Sequence, residues 1–239
     1  MIGNRSTAQP VKGDSVMLHE EYRPTEWASF LGNGKALKAC EAACNRAKAS
    51  GRPLALTIQG PSGTGKTTLA KLIAASLTTC PEWDTVELDG DKCSVDAVRE
   101  LERSGILNTR GVGGFRVVIV NECHAMTSRA VQAWLTLLER LPSRSCVIFT
   151  TTEGRGSEEL FGSFTSPFVS RSIPVCLTNQ GLAQVFAEKA KAVAEAEGLG
   201  GAELKAYVRL VQACKNNMRE VYGRIEAGEM LRDAEDIAA

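Results

Sequence analysis

The chain has 239 residues, 28 Lys+Arg against 28 Asp+Glu, and 44% hydrophobic residues, enough to bury the core of one α/β domain with a small appendage. A formal net charge of +0 excludes a nucleic-acid partner held by bulk basicity, and 5% aromatics argue against a base-stacking single-strand platform. The eight cysteines contain no C-x-x-C, and several lie in apolar runs such as Ser145–Phe149; they read as reduced, mostly buried thiols of a cytoplasmic protein. The N-terminus has no apolar signal-peptide core, and no apolar run approaches the roughly 18 residues that span a membrane.

Residues 1–17 are polar and read as a flexible leader. From about 33 to 50, Leu37, Cys40, Ala43, Cys44 and Ala47 recur at helical spacing until Gly51-Arg52-Pro53. Leu54–Gln59 is an apolar run that fits a buried parallel strand, followed by a Gly-rich turn and a helix over Lys66–Leu77. Thr85–Leu88 predicts a second strand and 94–103 a polar helix; Arg116–Val120 predicts a third strand and 128–140 an amphipathic helix. Cys146–Thr151 and Ile173–Leu177 complete the strands. Beyond Thr178 only helical patterns occur, about 179–197 (stopped by Gly198), 202–214 and 217–231. This alternation predicts an α/β fold, a parallel five-stranded sheet with helices on both faces, plus a small all-helical lid. The expected division is a leader at 1–17, an α/β core at 18–177, a helical lid at 178–232 and an acidic tail at 233–239.

The strongest chemical signal is Gly60-Pro61-Ser62-Gly63-Thr64-Gly65-Lys66-Thr67, which fits G-x-x-x-x-G-K-[ST] between a predicted strand and a predicted helix. Its glycines let backbone N–H groups converge on phosphate oxygens at a helix N-terminus. Lys66 is expected to reach the β- and γ-phosphates and the Thr67 hydroxyl to ligate Mg²⁺. The apolar run Val117–Val120 then ends in Asn121-Glu122-Cys123-His124. In such folds an Asp serves the metal and a Glu polarises the attacking water; here Asn121 takes the first place and Glu122 keeps the second. Glu122 as a cap for the 128–140 helix is the other reading, and His124 reads as structural or as a pH or phosphate sensor. Thr150-Thr151-Thr152-Glu153 can position a lytic water at a strand end, a weak signal in isolation. On spacing alone Arg171, before the last strand, reads as a surface arginine, and Arg219, after Asn216-Asn217 at the last helix start, reads equally as solvated or functional.

In this order the residues resemble the clamp-loader branch of the AAA+ ATPases, which includes replication factor C small subunits and the bacterial tau/gamma subunit. Glu21-Tyr22-Arg23-Pro24 and Phe30-Leu31-Gly32-Asn33 resemble two turns that flank the adenine. Val86-Glu87-Leu88-Asp89 resembles the stretch "E-I-D-A-A-S", and Met126 through Glu139 and Pro142 resembles "M-L-S…L-L-K-x-L-E-x-P". Val147–Thr152 is similar to the sensor-1 strand, with Thr152 at the sensor position. Ser170-Arg171 resembles Ser-Arg-Cys, whose arginine acts on a neighbour's ATP, and Asn217-Met218-Arg219 resembles "D-M-R", whose arginine is sensor 2. The resemblance implies ATP and Mg²⁺ as cofactors. ATP would be bound by Tyr22, Arg23, Pro24, Leu31, Gly32, residues 60–68 (Thr68 included) and Arg219, with Thr67, Asn121 and Glu122 around the metal. It further implies Lys66, Glu122, Thr152, Arg171 and Arg219 as the catalytic set. Implied partners are other AAA+ subunits in a homo- or hetero-oligomer, a sliding clamp and primer–template DNA.

Departures from the pattern are Asn121 for Asp (also found in some eukaryotic subunits), Cys123-His124 for Ala-Asp, Ser172 for Cys, and a longer loop between Glu153 and Ser170. The chain ends after the lid, so the family's helical collar is expected to be absent. The alternative function is an ATP-dependent assembly subunit, or a loader of another replication protein, with little turnover.

Overall fold

The sheet is built from near-continuous apolar segments, as strands buried on both faces require. The structure, a computed structural model, describes residues 16–103, 114–152, 168 and 170–231; most of the leader, Glu153, most of the loop up to Ser170 and the acidic tail lie outside the described residues. Strands β1 (Leu54–Gln59), β2 (Thr85–Asp89), β3 (Arg116–Asn121), β4 (Ser145–Thr151) and β5 (Ile173–Cys176) form one parallel sheet in the order β2-β3-β4-β1-β5. All seven residues of β4 are buried, whereas β2 and β5, at the edges, each leave residues exposed.

The two-residue side-chain period divides the core between the faces. Leu56, Ile58, Val117, Ile119, Cys146 and Ile148 point to one face, where they pack with α2 (Gly34–Ser50) and α3 (Lys66–Leu77). Val118, Val120, Val147 and Phe149 point to the other, against α5 (Val95–Arg103) and α6 (Ser128–Leu138). There Phe149 lies between Trp134, edge-on at 5.4 Å, and Phe168 at 4.6 Å. A third apolar cluster joins α7 (Ala183–Ala196), α8 (Leu204–Ala213) and α9 (Met218–Glu226) with Leu18 of α1 (Leu18–Glu21).

Predicted element boundaries fall within a few residues of those observed, and the differences have local causes. The helix predicted from 179 begins at Ala183, because Gly181 takes φ +71 and the Asn33 side chain holds both backbone groups of Thr178, donating to its carbonyl and accepting from its N–H. The last helix ends at Glu226 rather than 231, since Gly228 turns the chain at φ +85. Its N-cap is Asn217, whose side chain accepts from the Arg219 N–H at 3.2 Å. Unanticipated are α1 and α4 (Pro81–Asp84), four residues each. The α4 turn is pinned by buried Asp84, 3.6 Å from Arg116 at the start of β3.

All eight cysteines are free; Cys40, Cys44, Cys93, Cys123, Cys146 and Cys214 are buried, and Cys80 and Cys176 are exposed. Burial pushes the Cys40 thiol up to about 12 and Cys93 to about 11, so both stay protonated at neutral pH. At about pH 8 a chromogenic disulfide reagent is therefore expected to titrate Cys80 and Cys176 rapidly in the native protein, and the buried thiols only after denaturation. Rapid reaction of any buried thiol in the native state would contradict this packing.

Candidate active site

Parallel pairing fixes which strand ends meet. Gln59 of β1 stands opposite Thr151 of β4, and Val120 of β3 opposite Phe149 of β4. The loop after β1, the Asn121-Glu122 pair after Val120 and the threonines closing β4 therefore share one edge of the sheet.

The loop needs glycine for two separate reasons at Gly63 and Gly65. Both have positive φ, +77 and +87. A Cβ on Gly63 would overlap the Asn217 side chain, and one on Gly65 would come within 2.9 Å of the Phe30 ring. Gly65 is also the N-cap of α3, and it leaves the first-turn N–H groups of that helix directed at the cavity. Lys66 is 6% exposed, and its Nζ donates to the carbonyls of Gly60 (3.0 Å) and Pro61 (3.1 Å). Burial holds its pKa below the usual lysine range; Glu122 raises it and Arg219 lowers it further.

Asn121 is the hub of the polar contacts. Its Oδ1 accepts from Thr150 Oγ1 at 3.3 Å and from Thr67 Oγ1 at 3.4 Å, and its Nδ2 donates to Glu87 Oε1 at 2.6 Å. The neighbouring Glu122 takes a left-handed backbone (φ 47), and its N–H donates to Thr150 Oγ1 at 3.2 Å. Its carboxylate lies 3.4 Å from His124 Nδ1, which is also 3.2 Å from Thr151 Oγ1. The 128–140 helix is capped not by Glu122 but by Thr127, which accepts from the Ala130 N–H.

The cavity runs from the loop to the helical cluster. Ser62 through Thr68 and Glu122 line it from the core. Tyr22, Arg23, Pro24 and Leu31 also line it, together with Met218 and Arg219 of α9. The Tyr22 hydroxyl donates to Glu197 Oε1 at 2.7 Å, a bond that pushes its pKa up to about 12. Gly32 lies outside the lining, with its backbone against Leu182. Gly60 and Pro61 also lie outside it and act through the carbonyls that hold Lys66.

Of the predicted catalytic set, Thr152 and Arg171 stand apart from this cavity, and of the predicted metal set Asn121 lies outside the lining, in contact with Thr67. Thr152 is exposed just past β4, while Thr150 and Thr151 turn their hydroxyls into the Asn121–Glu122–His124 contacts. Arg171 is held by Glu139 Oε1 at 3.0 Å (Nε) and 2.8 Å (Nη2), away from the cavity lining. Thr150 and Thr151 belong to the strand-end cluster that the sequence offers for a lytic water, but the sensor position expected there is Thr152; Glu87 and Met218 enter the sequence reading only as parts of a resemblance.

The groups fit a nucleoside triphosphate with a hard divalent cation. A glycine cradle and a helix N-terminus suit phosphate, Lys66 supplies a cation, and the Thr67 and Asn121 oxygens suit Mg²⁺.

Comparison with known proteins gives the same direction. The family described as "ATPase family associated with various cellular activities (AAA)" matches residues 56–171. DNA polymerase III subunit gamma/tau of Mycoplasma genitalium is 30% identical over 159 residues, 57% of this chain and 26% of that protein. Replication factor C subunit 4 of Encephalitozoon cuniculi is 26% identical over 212 residues, 84% of this chain and 65% of the relative. The chain spans 26% to 35% of the length of the gamma/tau relatives it matches. In fold it is similar to the Thermotoga maritima RuvB Holliday junction branch migration motor, with TM-score 0.67 and 20% identity over 90% of this chain and 70% of that one.

Gly65→Ala tests the loop. A methyl group at φ +87 against Phe30 is expected to destabilise the folded protein by about 1–3 kcal/mol in urea unfolding. A change below about 0.5 kcal/mol would show that the loop relaxes freely.

Proposed function

We propose that this chain, whose residues 56–171 match the AAA ATPase family and whose fold is similar to that of a AAA+ motor, binds ATP with Mg²⁺ and hydrolyses it as a subunit of a clamp-loader-like oligomer. The observation that carries the reading is the convergence, at one sheet edge, of Lys66 and Thr67 from the loop with Asn121 and Glu122 from β3. The N–H groups of the loop would take the triphosphate, and Lys66 would exchange its two carbonyl contacts for phosphate oxygens. Thr67 and Asn121 would hold Mg²⁺, which would supply positive charge against the phosphates. Glu122 accepts a proton from the attacking water. Arg219 faces the cavity from α9 and reports the γ-phosphate, whereas Thr152, exposed just past β4 and outside the lining, is given no such role.

Arg171 does not line the cavity of its own chain, which supports a role at a neighbour's ATP. In this reading, residues 18–177 are the nucleotide-binding core and 178–232 the lid, with Tyr22 and Leu31 against the base. The partners are other AAA+ subunits, a sliding clamp and primer–template DNA, in the cytoplasm; among the described residues no helix is long and apolar enough to cross a membrane. The relatives' names support the replication setting.

A second reading is an assembly subunit with little turnover. Asn121 favours it, because the amide brings no negative charge of its own to the metal.

Steady-state ATPase across a protein-concentration series separates the two. On the first reading, activity per subunit rises with concentration, Glu122→Gln lowers kcat by about 10²–10⁴, and Arg171→Ala lowers it by about 10³ or more. Nucleotide binding with turnover no greater than that of Glu122→Gln would establish the second.

A further inference from the structure

Glu87 was not among the expected functional residues, yet it closes a circuit of side chains behind the metal side of the site. From α3, Thr67 Oγ1 reaches Asn121 Oδ1 at 3.4 Å. Asn121 Nδ2 donates to Glu87 Oε1 at 2.6 Å, and Glu87 Oε2 returns to α3 through Lys71 Nζ at 3.2 Å. Thr67 and Lys71 are four residues apart on α3 and so share a face. Glu87 stands opposite Ile119 in the β2–β3 register, on the same face as Asn121 and diagonal to it.

This placement does two things to Asn121. An amide has one donor and one acceptor end, and a carboxylate accepts only. Glu87 therefore fixes the amide with Nδ2 turned toward β2 and Oδ1 toward Thr67 and Thr150. The short bond to a carboxylate is charge-assisted, and it polarises the amide so that Oδ1 becomes a more negative oxygen. Lys71 opposes this by drawing charge onto the other Glu87 oxygen, though both side chains are over a third exposed and the pair is screened.

We propose that Glu87 is a positioning residue for the divalent cation: through Asn121 it supplies, one hydrogen bond back, the negative charge that an aspartate would have supplied at position 121. The inference rests on the nucleotide-binding reading above.

The test is fluorescence titration of the full chain with N-methylanthraniloyl-ATP, in EDTA and then against Mg²⁺. Glu87→Gln is expected to raise the Mg²⁺ concentration for half-saturation by about tenfold while leaving metal-free nucleotide affinity unchanged. In an Asn121→Asp background the effect changes sign. Two adjacent carboxylates now repel, so adding Glu87→Gln lowers the half-saturation concentration. Lys71→Met, which leaves Glu87 and Asn121 in place, is expected to lower it by about two- to threefold. No change with Glu87→Gln, or the same loss in both backgrounds, would overturn the inference and leave Glu87 as a brace for the sheet edge. Failure of the wild-type chain to bind the probe would instead overturn the nucleotide-binding reading.

Discussion

The site depends on the parallel register of β1, β3 and β4. Parallel strands end on the same side, so the loop after β1, the polar pair after Val120 and the hydroxyls at the end of β4 are brought together by backbone hydrogen bonds alone. The apolar stretches hold that register, because a slip of one residue would exchange Val117 and Ile119 with Val118 and Val120 between the faces. The contacts of Asn121 with Thr67 and Thr150 thus rest on the packing of Leu56, Ile148 and Phe149, none of which touches the cavity.

The electrostatics follow from that placement. Lys66 is nearly buried, and its ammonium is satisfied by two carbonyls of its own loop rather than by a carboxylate. Such a cation pays a desolvation cost that an anionic ligand would offset. Glu122 and Arg219, which both line the cavity, pull its pKa in opposite directions. Glu122 is meanwhile held from two sides, its N–H on Thr150 and its carboxylate near His124, in a left-handed backbone that an ordinary side chain adopts only when its surroundings enforce it.

Much of this was legible in the sequence because it is local. β1 and α3 have their expected limits, since an apolar run, a glycine loop and a helical stripe adjoin without ambiguity. The short α1 and α4 were not legible, because four residues carry no periodicity. Among site groups, Lys66, Thr67, Asn121 and Glu122 were read from a spaced motif and a strand end. Glu87 carries no such local signal, since its meaning lies in a cross-strand diagonal to Asn121, 34 residues away. The Tyr22–Glu197 and Arg171–Glu139 bonds join residues 175 and 32 apart, and no window of sequence contains them as pairs.

The link between loop and helical cluster shows how few groups are needed to couple two apolar units. Asn217 caps α9 through the Arg219 N–H, and the same side chain lies directly against Gly63. Around it, Asn216 Nδ2 donates to the Asn179 carbonyl at 2.6 Å, Asn179 Nδ2 to the Lys215 carbonyl at 2.8 Å, and Asn33 ties both ways to Thr178. Lys215 and Asn216 both take positive φ, so the turn before α9 is set by these side-chain bonds rather than by intrinsic preference. The direction of Arg219 is therefore fixed by a cap that touches the glycine loop. The start of α9, and with it the backbone of Arg219, thus rests directly against the glycine loop at Gly63.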